Sequence, residues 1–310
     1  MVLRNVLLTG ATGMVGRHIA AALQAAGANV TVMSRHEPAA SIAAAGWCEW
    51  DLTEWYDFDN AGLVASTFDA VVHAGACVPG PDPVSHRTMF ASNVTATLCI
   101  GEWAAKHGLP LVYLSGAIVY RDSTANGITE ADPVAPQGFG GFYRTTKLLG
   151  EQVLAGLSGD WKGLVVLRPS SVYGAGLAPG KMIDKFLSMA TADETIEIAP
   201  PWNDEIDLVH AGDVAAATVM ALQEQSTGIF NVGGDRASIA SIAEACVKAA
   251  NAGKVSRTGS EPKGDTPTVR FGIDSAKAAA AFGYRPAIDL STGLLLMRDG
   301  ALLSPTGGNG

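Results

Sequence analysis

Cysteine and histidine are scarce in this chain, and long hydrophobic runs are missing. The six histidines and four cysteines are dispersed without the spacing of a metal site, so we expect no bound metal. Apolar runs such as 6–8 and 71–72 have the length of strands and are too short to cross a bilayer. We expect free thiols at every cysteine, namely Cys48, Cys77, Cys99 and Cys246.

Basic residues are also in the minority. The chain has 21 Lys and Arg against 30 Asp and Glu, and its net charge of −9 argues against a nucleic-acid partner. Residues 1–5 lead directly into an apolar run, so we expect no signal peptide. Because free thiols are typical of reducing compartments, these features predict a cytoplasmic protein with a small-molecule partner and no membrane partner.

Strand-like and helix-like segments alternate over the first 174 residues. The alternation predicts an α/β fold with a doubly wound parallel sheet and helices on both faces. Ligands of such sheets bind beyond the carboxyl ends of the strands. The predicted strands lie at 6–8, 30–33, 47–50, 70–73, 111–114 and 164–167, and the main predicted helices at 15–26, 88–106 and 142–157.

A glycine-rich loop follows the first predicted strand and opens the first predicted helix. Gly10 can adopt a tight turn, Gly13 lets the backbone approach a pyrophosphate, and Gly16 allows close packing of helix on strand. The helix N-terminus then directs its N–H groups at the phosphates. The loop predicts a dinucleotide site, with an ordinary glycine turn as the alternative. Its remaining predicted coenzyme contacts are Thr12, Met14 and Val15.

The ends of the next strands bear on the choice of dinucleotide. An acidic residue at the end of the second strand would bind the ribose of NAD, but this chain has Arg35, which can fork onto a 2′-phosphate. We therefore predict NADP as the preferred coenzyme, or NAD if Arg35 is an ordinary surface arginine. Asp51 and Leu52 would contact adenine, unless Asp51 only caps a turn. Small residues that let the backbone approach a ribose follow the fourth strand: Ala74, Gly75 and Ala76.

Tyr143, Lys147 and Ser115 have the chemistry of proton transfer. Tyr143 and Lys147 are four residues apart and share a helix face. We expect Lys147 to lower the pKa of Tyr143 from its usual value of about 10, and to bond the nicotinamide ribose. Ser115 could hold the substrate oxygen, and Asn93 could support the lysine through water. The alternatives are a surface Tyr–Lys pair and a capping serine.

The order of these motifs resembles the extended short-chain dehydrogenase/reductase superfamily, in its NAD-dependent epimerase/dehydratase group. The resemblance covers nearly the whole chain and includes RPSSVYG at 168–174, DLVH at 207–210 and FNVGG at 230–234. It implies a Rossmann-like domain, a small C-terminal substrate lobe, and a homodimer packed through the helices of Asn93 and Tyr143. It also implies that four residues line the nicotinamide: Pro169, Ser170, Ser171 and Val172.

The alternation of strand-like and helix-like segments ends after residue 174, and this change suggests the domain boundaries. We predict an NAD(P)-binding Rossmann domain at 1–174, with its sheet completed by 207–235. An interleaved substrate lobe would occupy 175–303, and 304–310 would be a disordered tail.

Departures from the family pattern bear on the reaction. The 4,6-dehydratases carry an Asp-Glu pair where this chain has Ala117 and Ile118, so we predict that it is not a dehydratase. Many nucleotide-sugar epimerases have a diphosphate-binding arginine where this chain has Ile206. A diphosphate would then be held otherwise, by Lys181, Lys185 or Lys263, each of which could also be an ordinary surface lysine. The predicted substrate residues are Cys77, Ser115, Ala117, Ser171 and Lys181.

Three functions remain open from the sequence. The first is an NAD(P)-dependent oxidoreductase or epimerase that acts on a secondary hydroxyl or ketone of a sugar or nucleotide sugar. The second is an NADPH-dependent ketoreductase of a non-nucleotide carbonyl compound, which Arg35 and the missing arginines favour. The third is a dinucleotide-binding regulator without turnover, against which the intact Ser115, Tyr143 and Lys147 argue.

Overall fold

A computed structural model describes residues 1–80, 82–157, 159, 161–260 and 269–302. The predicted tail at 304–310 and Lys263 lie outside these residues. In chain order the elements are β1 (Asn5–Thr9), α1 (Met14–Ala25), β2 (Asn29–Ser34), β3 (Gly46–Glu49), β4 (Ala70–His73), α2 (His86–Phe90), α3 (Ala96–Lys106), β5 (Leu111–Leu114), α4 (Gly141–Leu157), β6 (Leu164–Pro169), β7 (Ser171–Tyr173), α5 (Met182–Thr191), β8 (Thr195–Ile198), β9 (Glu205–His210), α6 (Ala211–Gln223), β10 (Gly228–Val232), β11 (Asp235–Ser238), α7 (Ile239–Ala250), β12 (Lys254–Arg257), α8 (Ala276–Phe282) and α9 (Leu290–Arg298).

Seven strands of the described chain form one parallel sheet in the order β10-β6-β5-β4-β1-β2-β3. Two apolar cores flank it, one on each face, because the strands are buried on both sides. The predicted doubly wound α/β fold is therefore confirmed, and the six predicted strands are present. The strand order reverses between β1 and β4, which places a ligand crevice outside the carboxyl ends of these two strands.

The second half of the chain contributes two smaller sheets. β7, β9 and β11 form one, and β8 and β12 pair in the other. Within 207–235 only β10 joins the central sheet, beside β6, so the expected completion of the sheet comes from that strand alone. The sequence analysis missed β9 as a strand because its apolar residues have no partner strand nearby in sequence. β9 pairs instead with β7 and β11.

The predicted helix at 88–106 is helical throughout, but its centre departs from α-helical hydrogen bonding. Residues Ala91–Thr95 form a π-helical turn between α2 and α3. Such turns are frequent at functional sites because they redirect one side chain. Here the turn contains Asn93, whose contacts are described below. Within the described residues, no helix is long and apolar enough to cross a membrane.

Two buried histidines join α1 to the end of β9. The rings of His18 and His210 meet edge to face with their centres 5.3 Å apart, and neither residue is exposed. Burial lowers the pKa of each to about 4. Since histidine in an unfolded chain titrates near about 6.5, the unfolded state takes up protons first as the pH falls.

This pair predicts acid sensitivity of the fold. The two neutral histidines contribute to the unfolding free energy. We expect this contribution to be fully present above about pH 6.5 and to be lost as the pH falls toward about 4, with about 3 kcal/mol from each histidine. Urea unfolding across this range measures the slope. His18→Leu should flatten it, whereas Leu23→Ala, in the same helix, should lower the unfolding free energy at every pH alike. Parallel curves for wild type and His18→Leu would contradict the assignment.

Candidate active site

The glycine loop forms a cradle at the carboxyl end of β1. Gly10 has a φ of 76°, and a Cβ on it would lie 2.5 Å from the backbone nitrogen of Gly75. A Cβ on Gly16 would lie 1.9 Å from the carbonyl oxygen of Gly10, so only glycine lets α1 approach this closely. Gly13 caps α1 without a side-chain hydrogen bond, and Thr12 and Gly13 are exposed. The backbone is thus open to an anion at the start of the helix, which fits a pyrophosphate.

A pocket of about 450 Å³ lies beyond the ends of β2 and β3. Two of the predicted coenzyme contacts, Arg35 and Asp51, line it together with Glu49, and the predicted contact Leu52 is not among its lining residues. Asp51 also caps a turn, because its Oδ1 accepts hydrogen bonds from the backbone N and hydroxyl of Thr53 at 2.8 and 2.9 Å. The bond from the Thr53 backbone is the main reason that the pKa of Asp51 is lowered. Both interpretations of Asp51 therefore agree with the structure.

The end of β4 is held by hydrogen bonds on both sides. The amide of Asn93 accepts from the backbone N of Cys77 at 2.7 Å and donates to its carbonyl at 2.9 Å. Asn93 also donates to the Thr146 hydroxyl at 3.0 Å. It therefore fixes the Ala74–Cys77 backbone against α4, and its support of Lys147 through water stays a prediction. A Cβ on Gly75 would lie 2.8 Å from Leu52, which brings two predicted coenzyme contacts together.

His73, just before this segment, is a buried polar residue to which the sequence analysis gave no role. Its Nδ1 lies 2.7 Å from the Thr9 hydroxyl and its Nε2 lies 3.1 Å from the Thr97 hydroxyl. The Thr9 hydroxyl in turn accepts from the backbone N of Gly75. Burial lowers the pKa of His73 to about 3, so the ring is neutral and links the ends of β1 and β4.

Ser115 follows β5 and is part of a buried charged network. Its hydroxyl donates to Oε1 of Glu151. Arg168 forks onto the same carboxylate, with Nε 3.0 Å from Oε1 and Nη2 2.6 Å from Oε2. The guanidinium of Arg168 also lies 4.9 Å from the ring centre of Tyr120. The network anchors Ser115 where β5 and β6 end, beside the predicted nicotinamide segment.

Tyr143 and Lys147 lie on one face of α4, as their spacing predicts. Lys147 is buried, with its ammonium 4.6 Å from the ring centre of Tyr113, and Tyr143 is half-buried. Gly150 leaves room for this arrangement, since a Cβ there would lie 2.3 Å from the Tyr113 hydroxyl. α4 thereby presents a phenol and an amine at the carboxyl edge of the sheet.

The expected lowering of the Tyr143 pKa is wrong for this arrangement of side chains. Burial, with a smaller contribution from Cys77, raises the pKa of Tyr143 to about 12. Burial also lowers the pKa of Lys147 to about 8, opposed in part by Glu151. Desolvation is the largest cause of both shifts because it penalises the charged form of each group. The protein alone therefore keeps Tyr143 protonated at neutral pH.

A second pocket, of about 220 Å³, adjoins Tyr143. Its walls are mainly apolar and come from the segment after β4 and from the start of α4, with Pro79, Val84, Met89 and Phe142 among them. His86 stacks on Phe142 with ring centres 4.4 Å apart. Tyr143 thus borders a space in which a small part of a substrate could sit.

The other predicted residues are placed as follows. Pro169 ends β6 in register with Val232, and Ser170, buried, follows it. Ser171 is exposed in β7 and Val172 is half-buried. Lys181 reaches back across this side of the molecule, where its ammonium donates to the carbonyl of Pro79 at 3.2 Å. Ala117 is buried and Arg35 is exposed. Three further predicted residues are half-buried: Met14, Val15 and Ala76.

Sequence reasoning missed Glu151 and Arg168 as partners of Ser115. Glu151 stands four residues after Lys147, so it lies on the same helix face as Tyr143 and Lys147. A carboxylate on the buried face of a helix requires a counter-ion, and this signal was available in the sequence. Among the described residues, no group of three or more His, Cys, Asp or Glu side chains could hold a metal ion.

Several known proteins are similar to this chain in sequence. A family model described as the NAD dependent epimerase/dehydratase family matches residues 6–233. The chain is 30% identical over 250 residues to dTDP-6-deoxy-L-talose 4-dehydrogenase (NAD(P)(+)) of Kitasatospora kifunensis, with 76% of each chain covered. It is 26% identical over 238 residues to the polyketide synthase-nonribosomal peptide synthetase ACE1 of Pyricularia oryzae, covering 71% of this chain but only 6% of that protein.

The fold also has counterparts among solved structures. UDP-glucuronic acid 4-epimerase from Bacillus cereus in complex with NAD superposes with a TM-score of 0.78 at 21% sequence identity. The match covers 95% of this chain and 97% of that chain. At this identity the similarity shows a shared fold, including the sheet edge at which Tyr143 and the glycine loop lie.

Proposed function

The chain belongs to the NAD-dependent epimerase/dehydratase family, an extended short-chain dehydrogenase/reductase type, and from this premise we propose its reaction. It transfers a hydride between NAD(P) and a secondary hydroxyl or ketone of a sugar or nucleotide sugar. The observation that carries the proposal is Tyr143, which lines the 220 Å³ pocket and shares a helix face with Lys147. The relative that acts as a dTDP-deoxyhexose 4-dehydrogenase supports a nucleotide-activated sugar.

The residues of the site divide the chemistry. A bound nicotinamide coenzyme, held by the glycine loop and Lys147, would supply the hydride chemistry. Tyr143 donates its phenol proton to the substrate oxygen during reduction and takes it back during oxidation. Lys147 would hold the nicotinamide ribose. Ser115, whose proton goes to Glu151, would accept a hydrogen bond from a substrate hydroxyl, and it would turn that proton to the substrate to bond a carbonyl. Burial raises the pKa of Tyr143 to about 12, so the free site holds the phenol in the protonated form that donates to a substrate carbonyl.

We propose further that the enzyme is not a 4,6-dehydratase. Elimination of water requires a second acid–base pair near the substrate. Ala117 and Ile118 occupy the positions at which such a pair would stand, and neither can transfer a proton. Ala117 lies in a small apolar cluster with Tyr120 and Ile128.

A second function is favoured by three observations. Ile206 leaves no arginine at the usual diphosphate position, and Lys181 is bonded to Pro79. The match within a polyketide synthase-nonribosomal peptide synthetase also points away from nucleotide sugars. The alternative is therefore an NADPH-dependent ketoreductase of a non-nucleotide carbonyl compound, with Tyr143 again the acid.

Substrate panels test the proposal. The protein is mixed with NADPH or NADH and a dTDP-4-keto-6-deoxyhexose, and oxidation of the reduced nicotinamide is followed by absorbance. Turnover supports the sugar reaction, and turnover only with simple ketones supports the alternative. Conversion of dTDP-glucose to its 4-keto-6-deoxy product would overturn the exclusion of dehydratase activity. Coenzyme binding without turnover on any of these compounds would indicate a dinucleotide-binding regulator.

We propose NADP as the preferred coenzyme, with NAD bound more weakly. Arg35 is exposed at the rim of the 450 Å³ pocket, where a 2′-phosphate of the adenosine would lie. Planar guanidinium groups suit phosphate because they donate two parallel hydrogen bonds. Glu49 lines the same pocket, and its carboxylate could accept a hydrogen bond from the 2′-hydroxyl of an unphosphorylated ribose.

Removing Arg35 is expected to change coenzyme choice. Arg35→Ala should weaken binding of NADP⁺ and 2′,5′-ADP about 10- to 100-fold, because a charge-assisted bond of roughly 1.5–3 kcal/mol is lost. Binding of NAD⁺ should change less than about two-fold, as measured by calorimetry. Arg121→Ala, an exposed arginine after β5, is the matched control. Equal losses for NADP⁺ and NAD⁺ would show that Arg35 does not recognise the 2′-phosphate.

We also propose a homodimer, located in the cytoplasm. The contact we propose lies on the helices of Asn93 and Tyr143, where α3 and α4 pack side by side. Phe90 is exposed at the end of α2, and Leu98, Leu149 and Val153 are only half-buried. Light scattering of the purified protein distinguishes a dimer from a monomer.

A further inference from the structure

The 450 Å³ pocket has an aromatic rim that the coenzyme assignment above does not use. Trp55 lines it together with Arg35 and Asp51. The pocket opens past the ends of β2 and β3, which is where the adenosine half of a dinucleotide lies in a doubly wound sheet. An aromatic surface is therefore available at the position expected for the base.

Trp55 is far more exposed than Trp50 and Trp103, two tryptophans of the apolar core. It is 61% exposed, whereas Trp50 and Trp103 are each 3% exposed. Trp50 and Trp103 belong to an apolar core, and Trp50 also lines the pocket with the small part of its surface that is exposed. An exposed indole leaves a large apolar surface in water, and covering that surface with a flat ligand is favourable.

The backbone around Trp55 is fixed although its indole is free. The Trp50 indole donates to the carbonyl of Glu54 at 3.2 Å, and the backbone N of Glu54 donates to the carbonyl of Asp51 at 2.9 Å. On the other side, Tyr56 packs on Trp50 with ring centres 5.3 Å apart. The indole is thus presented from an ordered loop, so little backbone entropy is lost when a ligand covers it.

We propose that Trp55 stacks on the adenine of the coenzyme and closes the outer side of the pocket. This inference rests on the coenzyme-binding part of the proposed function and adds a binding residue to it. Base–aromatic stacking tolerates any flat ring, so Trp55 provides affinity for the adenosine half. Arg35, on the same rim, then separates phosphorylated from unphosphorylated ribose.

The charges of the pocket agree with a neutral base rather than a bare anion. Glu49, Asp51 and Glu54 line it alongside Arg35 and His36. Carboxylates accept hydrogen bonds and suit the exocyclic amine of adenine, but they repel a free phosphate. A pocket with this lining holds a nucleoside ring at its centre and a phosphate only beside Arg35.

Calorimetry with 5′-AMP and NADP⁺ tests the proposal without any turnover. We expect Trp55→Ala to weaken binding of both ligands about 5- to 100-fold. Trp55→Phe should retain most of the affinity because it keeps an aromatic face. Phe139→Ala removes an exposed aromatic side chain that does not line the pocket, and should leave both affinities unchanged.

A fluorescence measurement keeps the test decisive if an alanine variant does not fold. Saturating 5′-AMP should quench part of the tryptophan emission of the wild type, and this change should be lost in Trp55→Phe. Equal affinities for wild type and Trp55→Ala, or the same quenching in Trp55→Phe, would refute the role of Trp55 alone. Absence of 5′-AMP and NADP⁺ binding in the wild type would instead refute the coenzyme site on which the proposal rests.

Discussion

Tyr143→Phe is expected to lower turnover about 10²- to 10⁴-fold and to leave coenzyme affinity nearly unchanged. The substitution removes one hydroxyl and keeps the ring that lines the 220 Å³ pocket. The lost hydroxyl is the proton donor to the substrate oxygen, and general acid catalysis contributes a factor of this size. Steady-state kinetics with the best substrate of the panel, together with calorimetry of NADP⁺ binding, measures both quantities.

A matched variant separates chemistry from structure in this experiment. Tyr284 is also a buried tyrosine, and its hydroxyl donates to the carbonyl of Gly233 at 2.7 Å. Tyr284→Phe should cost stability and leave kcat close to the wild-type value. Comparable kcat values for Tyr143→Phe and the wild type would remove Tyr143 from proton transfer.

Glu151→Ala is expected to lower the unfolding free energy by about 3–5 kcal/mol. The substitution leaves the guanidinium of Arg168 buried without its counter-ion, and it also takes away the acceptor of the Ser115 hydroxyl. An uncompensated buried charge is among the most costly defects in a protein interior. Urea unfolding of wild type and variant at neutral pH measures the loss.

A double variant distinguishes an unpaired buried charge from a packing defect as the cause of the lost stability. Replacing both partners, Glu151→Leu with Arg168→Met, should recover much of the loss because no charge is left buried. Gln152→Ala changes the exposed neighbour of Glu151 in α4 and should have little effect. If the double variant were as unstable as Glu151→Ala, packing and not charge would explain the cost.

Local patterns explain why much of the fold could be predicted from the sequence. Most residues in the apolar runs of five central strands are buried, so each strand can be predicted from its own residues: β1, β2, β4, β5 and β6. The strands β7, β9 and β11 were missed because they pair over longer distances and in a smaller sheet. The π-helical turn at Ala91–Thr95 was missed because the hydrogen bonds of Asn93 to Cys77, which help to hold this turn in place, lie 16 residues away in sequence.

The candidate site was predictable wherever its chemistry depends on spacing. Gly10 and Gly16 are required by backbone contacts that a side chain would prevent, and glycine at those positions is visible in the sequence. Tyr143 and Lys147 share a face because a helix repeats every 3.6 residues. The Ser115–Glu151 bond joins residues 36 positions apart, and no periodicity connects them.

The sequence by itself determined the α/β class, the glycine cradle and the Tyr143–Lys147 face, because each follows from short-range geometry of the chain. Only the tertiary structure decided the protonation of the phenol, the partner of Ser115 and the exposure of Trp55. Those properties depend on how much water the surrounding elements exclude and on which distant side chains meet. Desolvation raises the pKa of Tyr143, whereas the position of Lys147 four residues later in the sequence predicts a lowered pKa.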